Sequence, residues 1–279
     1  MSYGTVPKHT HERTGMNFIT AFFMAWGNFI TLPCPYKKWD NKLKNLMLSM
    51  LPSVGAVISV LFVLINLAAV KLRMPDMVTA VIVEFYIFYI HGFMHLDGFM
   101  DCTDAIMSRR PLEDRQRIMK DPTVGSFAVV MVCFLLLGWF ACYYTVLSTY
   151  PTLIYAVAFV PIISRSGAGA QVLTYKPIGH SQYVEDYKQE GRLKLKLILA
   201  LQEAVYLVVF LLLMVRVVGA DSNYIFKTTC ILAAAGCASE LAGMHARKQL
   251  GGMSGDIAGY SIIWGELAGV AAAAIATAY

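Results

Sequence analysis

An all-α, polytopic integral membrane protein is the fold class this sequence predicts, and three observations predict it. Of 279 residues, 57% are hydrophobic and only 15% are charged, against roughly 25% charged in ordinary soluble domains. Apolar runs of membrane-spanning length recur from one end to the other, leaving no stretch for a separate soluble domain. The remaining polar residues concentrate in a few loops beside those runs. The expectation is a single membrane-embedded domain over residues 1–279, with about seven transmembrane helices of roughly 20 residues each. A polar tail at residues 1–16 and a short re-entrant or interfacial helix precede them.

The tail holds His9, His11, Glu12 and Arg13 and has no apolar run with a small-residue cleavage site, so no removable signal peptide is expected. Residues 17–32 are apolar but contain Gly27 and Asn28 and fall short of the ~20 residues a crossing needs, hence the interfacial reading. The loop at 33–46 carries Lys37, Lys38, Lys42 and Lys44 and should stay cytoplasmic. Crossings are then expected at 47–70, 77–94, 126–147, 152–172, 197–218, 226–243 and 257–279. This order returns three more basic loops to the first loop's side: 95–125 (Arg109, Arg110, Arg115, Arg117, Lys120), 173–196 (Lys176, Lys188, Arg192, Lys194, Lys196) and 244–256 (Arg247, Lys248).

A net charge of +5 that sits mostly in such loops suits membrane orientation, and no nucleic-acid partner is expected. The six cysteines include no CxxC pair, so neither a disulfide framework nor a zinc knuckle is expected. Gly255, Gly259, Gly265 and Gly269 include two GxxxG spacings, and Gly265 and Gly269 read as helix packing.

Polar residues inside or beside the apolar runs are the candidates for chemistry. Glu84 sits mid-helix, where an ionised carboxylate is expensive without a partner. On a continuous helix Glu84, His91 and His95 would fall within roughly 40° of one another. Asp97, Asp101 and Asp104, spaced i, i+4 and i+7, share a second face pointing roughly the other way. Either Gly92 or Gly98 breaks the helix and reorients the carboxylates, or the aspartates meet a ligand held by other helices. Three like charges on one face call for a divalent cation, and oxygen ligands favour Mg²⁺ over zinc. The arginines at 109, 110, 115 and 117, followed by Lys120, offer donors to phosphate. Arg165, near the end of an apolar helix among small residues, could reach a pyrophosphate. In Gly251-Gly252-Met253-Ser254-Gly255-Asp256, Ser254 or Asp256 could cap the last helix while glycine N–H groups approach an anion. Asp256 suits a cation or a ribose hydroxyl, and Glu266 is a second intramembrane carboxylate.

The run HGFMHLDGFMDCTDAIMSRRPLEDRQRIMKDPTVGSFAV, beginning at His91, resembles the central signature of the cobalamin synthase family, also called adenosylcobinamide-GDP ribazoletransferase. The resemblance extends to Thr31-Leu32-Pro33, to Ser164-Arg165, and to the stretch from Gly251 to Asp256 with Glu266 beyond, nearly the full length. It implies one membrane-embedded catalytic domain that joins adenosylcobinamide-GDP to α-ribazole or its 5′-phosphate. The products would be adenosylcobalamin or its 5′-phosphate and GMP, at the last nucleotide-loop assembly step. It further implies corrinoid and nucleotide substrates, Mg²⁺, and a place in the cell inner membrane with cytoplasmic active-site loops. Membrane lipid is an implied partner, and a homo-oligomer is left open. On this reading Asp97, Asp101 and Asp104 hold Mg²⁺, and His95, Glu84 and Asp97 are catalytic. Arg165, Arg117, Lys120, Asp256, Gly252 and Glu266 meet substrate.

Three rivals share features with it. A lipid phosphotransferase also uses helical aspartates, but its spaced Asp-Gly, Ala-Arg and Asp-x3-Asp pattern is absent. An intramembrane zinc protease would use His91 and His95, yet Gly92 stands where the general-base Glu of HExxH belongs. A carboxylate-based transporter predicts polar residues spread through the membrane depth.

Overall fold

The computed structural model describes residues 9–179, 181 and 191–279, with side chains from residue 15 onward. Residues 1–8 of the expected tail, and Lys188 of the expected basic loop, lie outside the described residues. In chain order the helices are α1 (His9–Phe29), α2 (Lys44–Ser49), α3 (Leu51–Lys71), α4 (Asp76–Tyr89), α5 (Met94–Met107) and α6 (Leu112–Ile118). They continue as α7 (Ser126–Thr149), α8 (Ile154–Thr174), α9 (Arg192–Leu213), α10 (Ser222–Leu250) and α11 (Gly255–Ala276). Among the described residues the only β-type pairing is an isolated bridge between Pro177 and Met253.

Among the described residues six helical segments are long and apolar enough to cross a membrane, and α4 with α5 makes a seventh if the bent pair counts as one span. The protein is therefore a multi-pass membrane protein. The segments differ in depth within the bundle. In the segment that contains α8, 78% of the apolar window is buried and in α11 61%, against 11% for Arg192–Val218, the segment that contains α9. α8 and α11 form the centre, with α3, α5, α7 and α10 packed around them and α9 at the edge.

Two expectations change. α1 runs from His9, so the second half of the supposed tail is helical, and it packs on α2 and α3 without qualifying as a span. The crossing expected at 77–94 is not one helix. α4 stops at Tyr89, and its 14 residues cover only about 21 Å, less than a hydrocarbon core of about 30 Å. Gly92 and Phe93 then take left-handed φ angles of 59° and 61°, and α5 leaves at 80° to α4. Glycine takes such angles freely, whereas an aromatic residue rarely does. The surrounding chain holds the elbow: the Thr31 amide donates to the Ile90 carbonyl at 2.8 Å, and its hydroxyl to the same oxygen at 3.3 Å.

Turned in this way, α5 runs across one end of the bundle. Its Gly98 lies so close to α11 that a Cβ there would come within 2.7 Å of the Asp256 carbonyl oxygen, and one on Gly259 within 3.1 Å of the His95 Cα. At the same end Arg115 and Gln116 of α6 donate to the Gln249 and Leu250 carbonyls at 2.9 and 2.8 Å, closing the C-terminus of α10. The Ile178 amide donates to the Met253 carbonyl at 2.9 Å. The loops at 30–43, 90–93, 108–125, 175–179 and 251–254 thus share one end. At the other end Tyr224 donates to the Thr152 carbonyl at 3.0 Å.

Candidate active site

The site has a floor, a rim and a cavity between them. The floor is built on Arg165, whose side chain is 1% exposed. Its Nη1 donates to Glu266 Oε1 at 2.5 Å, to Ser164 Oγ at 3.0 Å and to the Pro161 carbonyl at 3.1 Å, while Nη2 donates to His91 Nε2 at 2.6 Å. His91 can accept that bond because its other nitrogen, Nδ1, lies 3.1 Å from the Ile87 carbonyl and carries the proton there. The His95 ring lies 4.4 Å from the His91 ring, centroid to centroid. Burying a guanidinium is tolerable only with a matched anion and satisfied donors, and Glu266 with three acceptors supplies both. Of the Arg165 nitrogens, only Nε has no partner among the described residues.

The rim is acidic. Asp97 is exposed, Asp101 and Asp256 are half-buried, and Asp101 feels the charges of Asp97, Asp256 and Asp104, in that order. Ser254 caps α11, accepting from the Ile257 amide at 3.3 Å, and its hydroxyl lies 3.3 Å from Asp256 Oδ2. With about 1.5 Å of rise per residue, Asp256 at the start of α11 stands about 15 Å above Glu266 on the same helix.

Asp104 is arranged differently. It is 9% exposed, and its two carboxylate oxygens accept from the Gly125 amide at 2.7 Å and the Ala128 amide at 3.0 Å. It therefore caps α7 from a neighbouring helix, where a carboxylate also meets the favourable end of the helix dipole. Outside it a hollow of about 350 Å³ is lined by Asp101, Ser108, Arg110, Asp121 and Ser126 among others. There the Thr123 amide and hydroxyl hold the Asp121 carboxyl below its usual range.

Between floor and rim lies a cavity of about 220 Å³. His95, Arg165, Asp256 and Asn28 give it polar groups, and residues including Leu51, Val54, Met94 and Ala168 make the rest apolar.

The other sequence candidates stand apart. Glu84 does not join the histidines: its Oε1 is buried without a hydrogen-bond partner among the described residues, and the break after Tyr89 removes the continuous stripe. Arg117 pairs with Asp114 on its own helix and is 76% exposed, and Lys120 is exposed. Gly252 packs against the segment 176–178, where a Cβ would meet the Ile178 nitrogen at 2.9 Å. Among the described residues no three His, Cys, Asp or Glu side chains are grouped to hold a metal ion by themselves. The zinc-protease arrangement fails locally, since a guanidinium occupies His91 Nε2.

Sequence reasoning singled out Arg165 and Glu266 but not their pairing, and omitted His91 from the site and Thr31 as the elbow clamp. A buried cation in an apolar helix requires an anion somewhere, which was the available signal for the pair.

A bundle of apolar helices with a buried ion-paired floor and an acidic rim at one end defines an integral membrane protein with a polar site let into the membrane. The chain belongs to the cobalamin-5-phosphate synthase family, whose model matches residues 21–274. It is 32% identical over 254 residues to an adenosylcobinamide-GDP ribazoletransferase of Clostridium perfringens (strain SM101 / Type A), covering 91% of this chain and 96% of the relative. A protein of the same name from Clostridium botulinum (strain Alaska E43 / Type E3) is 31% identical over 261 residues, 94% of this chain and 99% of the relative. No solved structure matches the chain.

Proposed function

We propose that this protein is an adenosylcobinamide-GDP ribazoletransferase, making adenosylcobalamin or its 5′-phosphate and GMP from adenosylcobinamide-GDP and α-ribazole or its 5′-phosphate. The reading is carried by the meeting of Asp97, Asp101 and Asp256 beside a cavity holding His95, in a chain of this family. In the transfer the ribose 3′-hydroxyl forms a bond to the phosphorus next to the cobinamide arm, the P–O bond to GMP breaks, and the hydroxyl proton goes to a base.

The residues present fit Mg²⁺, which takes one or two carboxylates and completes its shell with substrate phosphate oxygens and water instead of an all-protein cage. One or two of Asp97, Asp101 and Asp256 would hold it, and when bound it would offset charge on the pyrophosphate. Asp104, with both oxygens committed to amides, fixes α5 against α7 and so sets where Asp101 stands. His95 lines the cavity and is the base in this reading. Arg165, through His91, Glu266 and the helix contacts, holds the wall on which His95 rests. Arg117 and Lys120, exposed at the site end, are charges an incoming polyphosphate meets early. The site end faces the cytoplasm in the cell inner membrane, because the basic loops gather there.

Membranes containing the protein, given adenosylcobinamide-GDP, α-ribazole phosphate and Mg²⁺, should release GMP and corrinoid product in equal amounts. Product without GMP, or neither, defeats the proposal. For orientation, a cysteine introduced at Lys38 should resist an impermeant reagent added outside intact cells; rapid labelling there reverses the topology.

A further inference from the structure

We infer that the cavity between the rim and the floor seats the flat aromatic base of the nucleoside substrate, with its ribose toward His95 and Asp256 and the corrinoid held outside. This rests on the transferase reading above and assigns a place within it.

Size decides which part of which substrate can enter. An apolar cavity of about 150 Å³ admits one benzene ring, so the 220 Å³ here suits a fused two-ring base. Sites for drug-sized ligands run to roughly 300–1,000 Å³, and a corrin macrocycle is larger still. The lining agrees. Phe29, Leu51, Val54, Met94, Ala168 and Ile262 provide apolar walls from five helices, while His95, Arg165 and Asp256 stand among them as the charged or ionisable groups. A base is apolar on its faces and polar at its ring nitrogens, which such walls match. Arg165, 1% exposed and ion-paired with Glu266, forms a fixed part of the wall. With the base so seated, the sugar lies by Asp256, which the cavity shares with the acidic rim, and a ribose hydroxyl there comes between His95 and the carboxylates that would hold Mg²⁺.

The direct test uses the unaltered protein in membranes and an azido derivative of α-ribazole. Irradiation should label Leu51, Val54, Met94 or Ala168, and excess α-ribazole, but not adenosylcobinamide-GDP, should prevent it. Labelling confined to other residues, or blocked equally by the corrinoid, overturns the assignment. A second arm changes the cavity in opposite senses. Ala168→Val should raise KM for α-ribazole about tenfold, the scale of one methylene group in an apolar pocket. Leu51→Ala should shift preference by a similar factor toward a riboside with a three-ring base, and KM for adenosylcobinamide-GDP should stay within about twofold in both. Changes that fall on the corrinoid KM instead also overturn it. Failure of the wild type to release GMP would defeat the transferase reading while leaving the labelling pattern as its own answer.

Discussion

Asp256 and Glu266 are carboxylates on the same helix, yet they stand in opposite surroundings. Glu266 is 6% exposed and faces a guanidinium that also binds Ser164, the Pro161 carbonyl and His91. Asp256 is half-buried and shares its end of the bundle with Asp97 and Asp101. At the floor every large charge has its counter-charge within the protein, so the floor maintains the fold. At the rim like charges are held together at the fold's expense, and a cation with a polyanion relieves the repulsion. The same residue type therefore does structural service at one depth and chemical service at another, and its neighbours decide which.

That contrast can be broken most severely at the floor. Arg165→Met leaves Glu266 buried without its partner, a change that costs about 3–5 kcal/mol. The expected result is loss of monodisperse protein in detergent and a lower thermal midpoint. The double variant Arg165→Met/Glu266→Leu should regain most of that stability, because an apolar pair can replace a buried ion pair. A double variant no more stable than the single one would show that the two side chains do not act as a pair.

At the rim the effect should move from stability to turnover. Asp101→Asn keeps size and removes charge, and should lower turnover roughly 10²–10³-fold, the scale of losing one key electrostatic contact to a transition state. Its thermal midpoint should match or exceed that of wild type. Mg²⁺ with adenosylcobinamide-GDP should raise the wild-type midpoint by binding the folded state, and raise it less in Asp101→Asn. An unchanged metal profile in this variant and in Asp97→Asn would remove the metal from the rim. Asp104→Asn should fall between the two regions: its single acceptor oxygen serves only one of the two amides, and leaving the other unpaired costs about 1–3 kcal/mol, with the Mg²⁺ concentration for half-maximal rate little altered. A large rise in that concentration would return Asp104 to the metal site.

Most of the crossings were legible because hydropathy over long runs depends on the segment alone. What failed to show were features made by two segments at once. The shared face of Asp97, Asp101 and Asp104 follows from spacing on α5, but the capping role of Asp104 needs amides of Gly125 and Ala128, which no local pattern connects to it. Arg165 and Glu266 each stood out as charges in apolar helices, whereas their pairing depends on how α8 meets α11. For the elbow, Gly92 and Gly98 were equal options from sequence. Gly92 bends, and Gly98 instead lets α5 touch the Asp256 backbone. The left-handed Phe93 could not be read locally, since its conformation opposes its own preference and is held by the chain around Thr31 and Ile90.

The smallest expected effect lies outside both regions, at Arg117. Its guanidinium pairs with Asp114 one turn away, is 76% exposed, and lines neither the cavity nor the outer hollow. A charge so placed can draw a polyanion toward the site end without touching it once bound. Such steering weakens steeply as salt screens it. Arg117→Ala should therefore raise KM for adenosylcobinamide-GDP by no more than about threefold at low ionic strength, leave kcat unchanged, and become indistinguishable from wild type near 0.5 M salt, where the screening length is only a few ångströms. A tenfold rise that persists at high salt would mean direct contact with bound phosphate. The substrate surface would then reach past the rim to α6, and the division between a structural floor and a chemical rim would need a third region.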